Sequence, residues 1–450
     1  MVKRIYLDYA SLTPIDPRVS REMKRYSSAE YANPASLYKE GVAAKKALEE
    51  GRKRAGEFIH AHAGEIVFTS GGTEANNLAL EGVLKAAHKN GIARPHLIVS
   101  NIEHSSIMED AVIAERVGVE VTRLTVDSNG LISLDELKKA IKPNTVLVSI
   151  MTVNNEIGTV QPIREIAKTI RWARANITKS NAYPLFHTDA AQAALYCDLN
   201  VEQLGVDLLT LDASKAYGPR SIGCLYVRRD TPIEPIVHGG GQERGMRSGT
   251  ENVPAIMGFA KALEIAASER DGEVERISQL RERFLTGLLR IRPNLKVNPD
   301  LNLSGGATIP PNRYTRYDIT PGEDMSSASL LKSVEKVDTF ANLSKGPSLS
   351  GGHLFHDQQA SSYSSAMLQS PHILNVSIPG IDNELFVLRL DAHGVAASTK
   401  SSCLRDAEES YVLKAIGADS GTAVRFSFGR STKKPDIARA LAAIAKALKV

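Results

Sequence analysis

The chain has 450 residues, 42% of them hydrophobic and 24% charged, with a formal net charge of +4. That balance fits a globular protein of two or three domains with a large core, and with no long basic run it gives no case for nucleic-acid binding. Three cysteines, Cys197, Cys224 and Cys403, lie far apart without a CxxC pair, which argues against a disulfide framework and against a cysteine zinc site.

The opening MVKRIYLDYASLTP lacks the apolar core of a signal peptide, and no apolar run reaches membrane-spanning length. A cytoplasmic protein without a membrane partner is therefore expected. Up to about residue 270, short apolar runs alternate with helical patterns. EIVFTS (65–70), HLIVSN (96–101), TVLVSIMTV (145–153) and VDLLTL (206–211) predict buried parallel strands. SLDELKKAIK (133–142) and REIAKTIRWARANI (164–177) predict helices between them, so the fold class is α/β with an open sheet. The stretch from about 255 to 291 predicts long helices, and PDIARALAAIAKALKV at the end predicts another. Residues from about 304 to 370 are rich in Ser, Gly and Pro with poor apolar spacing, and predict an insertion carrying at most a short helix, SSASLLKSVEKV. Its HLFH (353–356) offers only two histidines, so no metal is expected. Regular patterning resumes at HILNVSIPG (372–380).

Each strand candidate is followed by polar residues. EIVFTS leads to Gly71-Gly72-Thr73 and then a helical pattern, which suits either a phosphate or a plain strand-to-helix turn. HLIVSN leads to Glu103-His104, TVLVSIMTV to Asn154-Asn155-Glu156, and YPLFH to Thr188-Asp189 and Gln192. VDLLTL leads to Asp212-Ala213-Ser214-Lys215, with a second apolar run close behind. In open α/β sheets ligands bind beyond the carboxyl ends of the strands. A phosphorylated pyridine aldehyde would use this whole set. A lysine forms an imine, a carboxylate pairs with the pyridine nitrogen, an imidazole stacks on the ring and a helix N-terminus takes the phosphate.

The motifs YLDYASLTPIDPRV, NPAS (33–36), EIVFTSGGTEANNLAL, IEHSSI, VNNEIGTVQPI, FHTDAAQA, DASKAYGPRSIGCLYVRR, HGGGQERGMRSGTENV and RFSFGRST occur in this order across nearly the whole chain, apart from 304–370. Together they resemble the cysteine desulfurases of the NifS/IscS type, within the class V aminotransferase family of fold type I pyridoxal 5'-phosphate (PLP) enzymes. The resemblance implies a large domain with a mostly parallel seven-stranded sheet between helices, plus a smaller α+β domain. The expected division is 1–15 as an N-terminal segment of the small domain, 16–260 as the large PLP-binding domain, and 261–450 as the small domain, with the insertion and a catalytic cysteine loop at 398–410.

The resemblance also implies roles. Lys215 would carry the cofactor as an imine. His104 would stack on the pyridine ring and move protons. Asp189 would pair with the pyridine nitrogen, and Gln192 would hydrogen-bond the phenolic oxygen. Gly72, Thr73 and Ser214 would hold the phosphate. Asn155 would orient cofactor and substrate. Thr250 would reach the phosphate of a neighbouring subunit, implying a homodimer. Arg425 would clamp the substrate carboxylate with its planar fork. Cys403, in ASTKSSCLRDAEES with Lys400 three residues away, would attack the substrate sulfur as a thiolate; the plain alternative is a small apolar side chain. Cys197 and Cys224, beside apolar runs, are expected in the core.

The chain departs from the family at several points. Family members often carry Ser-x-His before the lysine, where this chain has Asp212 and Ser214. Asp212 would repel a phosphate, so it is expected to point away or to cap a turn. The cysteine loop differs from the usual SSGSACTS-like run and is about one residue shorter after Cys403, which bears on sulfur acceptor choice. The implied activity converts L-cysteine to L-alanine and leaves a persulfide on Cys403, for an iron–sulfur scaffold or a tRNA-thiolating protein. Two alternatives remain open: another lyase or aminotransferase of the same fold, such as a selenocysteine lyase, which Cys403→Ser would leave active, and a non-catalytic scaffold, which would have no need of Lys215, Asp189 and His104.

Overall fold

A computed structural model describes residues 4–180, 182–300, 368–399 and 409–449. Expectations about 304–367, HLFH, Lys400 and Cys403 fall outside the described residues.

The first strand, β1 (Ile5–Tyr6), leads into helices α1 (Pro17–Lys24) and α2 (Lys39–Phe58). The main sheet is built from β2 (Ile66–Thr69), β3 (His96–Ser100), β4 (Glu120–Leu124), β5 (Thr145–Ser149), β6 (Leu185–Asp189), β7 (Leu208–Asp212) and β8 (Gly223–Val227). Its spatial order is β2-β8-β7-β6-β5-β3-β4. β8 runs against both of its neighbours, and every other pairing in this sheet is parallel. Two antiparallel pairings in a row restore the direction of β2. The carboxyl end of β2 therefore lies at the same edge as those of β7, β6, β5 and β3.

Between the strands lie α3 (Gly72–Lys89), α4 (Ser105–Arg116), α5 (Leu134–Ala140), α6 (Ile163–Ala173) and α7 (Val201–Leu204). Alternate strand residues enter two separate cores. Ile66, Phe68 and Ile98 face one, with Ala167 and Ile170 of α6. Val67, Leu97 and Val99 face the other, with Leu78, Val83 and Ile107 of α3 and α4. Both faces are covered, which is why these strands read as continuous apolar runs.

The helices expected over 255–291 are one continuous helix, α8 (Val253–Ile291), of 39 residues and about 58 Å. Its buried residues fall into two stretches, Val253–Ala266 and Ile277–Leu288, with SERDGEVER, exposed or half-buried throughout, between them. Asp271-Gly272 looks like a break in the sequence. A solvated glycine costs a helix only about 1 kcal/mol against alanine, which tertiary packing on either side outweighs. The second buried stretch sets Phe284 edge-on against Phe426 and Phe428, with ring centroids 4.9 and 5.4 Å away.

That contact belongs to a second, antiparallel sheet: β9 (Lys296–Asn298) and β12 (Ala423–Ser427) flank β10 (Ile373–Ser377). Helices α9 (Asn383–Ala392), α10 (Tyr411–Ala415) and α11 (Lys434–Ala447) complete this end of the chain. β1 pairs in parallel with β11 (Val395–Ala396), which brings the N-terminus to this part of the fold. Chain pairing begins a little before 372, since Leu368 accepts from Val160 N and Gln369 bridges to Thr159.

Candidate active site

The sheet edge gathers the expected residues. Lys215 sits in a 3₁₀ turn, Ala213–Lys215, directly after β7, and its Nζ donates to the Ser11 carbonyl. Thr13 fastens the N-terminal segment to this turn: its N and Oγ1 both donate to the Ser214 carbonyl, at 3.0 and 2.8 Å, and its Oγ1 accepts from Tyr217 N. The segment Asp8–Thr13 therefore forms one wall of the site. The sequence lists it within a motif but gives no sign of this role, because the contact spans about 200 residues.

Asp189 ends β6. One carboxylate oxygen accepts from Ala191 N at 2.9 Å, and the other from Asn76 Nδ2 at 2.8 Å. Asn76 Nδ2 also donates to Ser106 Oγ at 2.9 Å. Ser106 Oγ lies 2.8 Å from His104 Nδ1, which also accepts from Ser106 N at 3.2 Å. Since the backbone N–H can only donate, Nδ1 is the acceptor and neutral His104 carries its proton on Nε2. Asn76 and Ser106 thus couple the carboxylate to the imidazole. Sequence reasoning missed both, because a helix-borne Asn and a helix-start Ser read as ordinary.

Gln192 donates from Nε2 to the Ala10 carbonyl at 2.8 Å, and its Oε1 lies 3.1 Å from His372 Nε2. The amide oxygen cannot donate, so His372 is protonated on Nε2, and its Nδ1 accepts from Ser370 Oγ at 2.7 Å. His372 is buried and stacks on Tyr196 at 4.4 Å, and burial pushes its pKa down to about 3. It stays neutral and fixes the orientation of Gln192, leaving one amide hydrogen for a ligand. Nothing local in the sequence identifies His372.

Arg425, in β12, is 1% exposed. Its Nη2 is 2.8 Å from Asp8 Oδ1 and 3.0 Å from Ser11 Oγ, and its Nη1 donates to the Asn155 carbonyl at 2.8 Å. Its buried Nε has no hydrogen-bond partner among the described residues. Asn155 is held by its neighbour, for Asn154 Oδ1 accepts from Glu156 N and Ile157 N and closes an Asx turn.

Below the site, Glu103 is fully buried; it accepts from Ser100 Oγ and from Met151 N. Desolvation chiefly, with the nearby Asp189 charge, pushes its pKa up to about 8. It is therefore mostly protonated at neutral pH.

At the start of α3, Gly71 has φ +151°, a conformation that favours glycine. Gly72 opens the helix and Thr73 is exposed on its first turn. Asp212 does cap the lysine turn, since its Oδ1 accepts from Ser214 N at 2.7 Å. It does not point away from the expected phosphate seat: Oδ2 accepts from Gly72 N at 3.2 Å. Thr250, also exposed, follows a loop tied to α3 by Arg247 and Glu74.

The class-V aminotransferase model matches residues 5–320. The chain belongs to the class-V aminotransferase family. It is 36% identical to the cysteine desulfurase IscS of Dictyoglomus turgidum, over 97% of this chain and 92% of that one. Among solved structures, a NifS-like protein aligns over 99% of both chains with a TM-score of 0.77 and 28% identity. SspA in complex with cysteine aligns over 94% of this chain and 98% of its own, with a TM-score of 0.65 and 28% identity.

The family's cofactor is PLP, and the donor set here fits it. There is one amine at a strand end, a carboxylate held by two neutral donors and a helix start opened by two glycines. A close backbone approach supports that start, since a Cβ on Gly223 would lie 2.8 Å from the Gly71 carbonyl carbon. The Asp212 carboxylate is the one element of the set that opposes a phosphate. Cys224 is fully buried and Cys197 packs against the main core; desolvation pushes both thiols up to about 12, which unsuits them as thiolate nucleophiles. Among the described residues no helix is long and apolar enough to cross a membrane.

Proposed function

We propose that this protein is a PLP-dependent cysteine desulfurase that turns L-cysteine into L-alanine and leaves the sulfur on Cys403 as a persulfide. Bound through its aldehyde, PLP supplies the electron sink for chemistry at the substrate α-carbon. The Lys215 amine would be the attachment point and the group that takes the α-proton. Asp189 holds the charge of the ring nitrogen, and Asn76 keeps that carboxylate in place. His104, with its proton on Nε2, would lie against the ring face, and Gln192 would offer its remaining amide hydrogen to the phenolic oxygen. Arg425 takes the substrate carboxylate and Asn155 orients it. Gly72, Thr73 and Ser214 hold the phosphate.

The substrate's carbon–sulfur bond breaks as a sulfur–sulfur bond forms with Cys403. The proton given up by the Cys403 thiol balances the hydrogen gained at the methyl carbon, so no oxidant is needed. What supports Cys403 is the anchoring of the chain on either side of it. Before it, Ser398 exchanges backbone hydrogen bonds with Arg425. After it, Ser410 Oγ donates to Glu156 Oε2 at 2.6 Å, and Tyr411 OH donates to the Glu103 carbonyl.

The single observation that carries the reading is the meeting of Lys215, Asp189 and His104 at one sheet edge, with Arg425 of the second sheet against it, in a chain so similar to named desulfurases. The division into a large unit of about 16–260 and a small unit of 1–15 with 261–450 belongs to the same reading. So does a homodimer, supported by exposed Thr250 and by Tyr31, Leu37, Tyr38 and Val42, which expose apolar surface around the start of α2. The sulfur would pass to an iron–sulfur scaffold or a tRNA-thiolating protein. The test is purified protein with L-cysteine, following alanine and the mass of the Cys403 peptide together. Equal amounts of alanine and persulfide are expected in a first turnover, with neither in Lys215→Ala. Undiminished sulfide release by Cys403→Ser with a reductant present would sink the assignment of Cys403.

A further inference from the structure

We propose that Asp212 is a built-in occupant of the cofactor's anion seat and weakens the grip on the phosphate, so that this chain holds PLP in an exchangeable way. The proposal rests on the reading that PLP binds at Lys215.

The N-terminus of α3 is the part of the site suited to a phosphate. Its first N–H groups have no partner within the helix, and the helix dipole makes them attractive to an anion. In this chain the first of them, Gly72 N, already donates to Asp212 Oδ2. The second oxygen is fixed by Ser214 N at 2.7 Å, so both ends of the carboxylate are held. The approach is tight: a Cβ on Gly72 would lie 3.1 Å from Asp212 Oδ2 and 3.3 Å from Asp212 Cβ.

Two acidic side chains sit at this helix start, and they differ. Glu74 accepts from Arg247 at 2.8 and 3.3 Å and from Ser70 N at 2.9 Å, so its charge is balanced. Asp212 forms no ion pair among the described residues; its hydrogen-bond partners are the two backbone N–H groups. A phosphate arriving at α3 must share Gly72 N with a carboxylate or push it aside, and like charges at that distance repel. Ser at this position would give a donor where Asp gives a charge. Asp212 is thus the specificity-determining residue for the phosphate half of the cofactor, with no bearing on the pyridine half held by Asp189 and Gln192.

The test compares PLP with pyridoxal, which lacks the phosphate. Cofactor-stripped full-length protein, D212N and D212S are titrated with each and followed by absorbance, with thermal melts of the stripped proteins as a folding control. Both variants are expected to bind PLP about tenfold or more tighter, about 1.4 kcal/mol, with pyridoxal affinity unchanged. D212N keeps an acceptor for one of the two N–H groups; D212S carries the test if D212N does not fold. Unchanged or weaker PLP binding in the folded variants overturns the proposal, and so does equal tightening of PLP and pyridoxal. Failure of the underlying reading looks different: borohydride treatment of the wild type with PLP would then leave no adduct on the Lys215 peptide.

Discussion

Arg425 Nη2 lies 2.8 Å from Asp8 Oδ1, so an ion pair joins residues 417 positions apart at the edge of the site. Arg425 is 1% exposed on its side chain and Asp8 19%. On the proposal that Arg425 takes the substrate carboxylate, an incoming amino acid meets a guanidinium already engaged by Asp8 and must compete with it. Asp8→Asn is expected to lower KM for L-cysteine several-fold while lowering thermal stability, because removing one partner leaves a buried charge uncompensated, a loss of about 3–5 kcal/mol at most. Steady-state kinetics with a thermal melt checks both. A raised KM would mean that Asp8 aims Arg425 and does not compete with substrate.

Gly223 carries no side chain because β8 starts against the turn that leads into α3. An added Cβ would lie 2.7 Å from the Leu211 carbonyl oxygen and 2.8 Å from the Gly71 carbonyl carbon, and backbone cannot give way cheaply. Gly223→Ala is expected to lose about 1–3 kcal/mol of stability, the usual cost of overpacking. On the proposal that this turn holds the phosphate end, it should also shed PLP faster on gel filtration.

Glu103 makes stability depend on pH in a particular direction. Its folded pKa is pushed up to about 8 from 4.5. Between those values the folded protein binds a proton that the unfolded chain releases, so stability falls as pH rises. Its contribution is fully present below about pH 4.5 and is lost as pH passes through about 8. The stability difference between wild type and Glu103→Gln should therefore shift against the wild type between pH 5 and 8, read from denaturant midpoints. A difference that stays flat over that range would show Glu103 to be ionised in the fold.

His372 holds Gln192, the residue proposed to bond the cofactor's phenolic oxygen. His372→Phe keeps the stack on Tyr196 but leaves Gln192 Oε1 without its donor, at a cost of about 1–3 kcal/mol for a buried acceptor. The amide is then free to turn over. If Gln192 hydrogen-bonds the phenolic oxygen as proposed, the expected signature is an altered absorption spectrum of the bound cofactor together with lower kcat. A change in melting temperature with an unaltered spectrum would reduce His372 to a packing role.

The central strands were legible because they are buried on both faces and end in polar clusters; the half-exposed edge strand β4 (Glu120–Leu124) carried no such run. EIVFTS, HLIVSN and TVLVSIMTV each contain a strand, trimmed by a residue or more, while the strand of VDLLTL starts at Leu208 and runs one residue past the run to Asp212. The continuity of α8 was not legible: Asp271-Gly272 has the local look of a break, and packing at both ends of the helix overrides it. Asp212 caps the turn as its sequence suggested, and its second oxygen also reaches across the fold. Its capping of the lysine turn is a contact two residues away, while its hold on Gly72 N bridges 140 residues.

The sequence by itself determined which chemical groups the site would contain, because an amine, a carboxylate, an imidazole and a guanidine each sit in a recognisable motif. It also determined the α/β class, since two-sided burial writes itself into strand composition. Only the tertiary structure decided which way those groups are aimed. Asp8 against Arg425, Asn76 between Asp189 and Ser106, and His372 behind Gln192 are pairings at separations no local pattern encodes. Hydrogen bonds between distant segments depend on where the chain returns, and that is fixed by packing of the whole core.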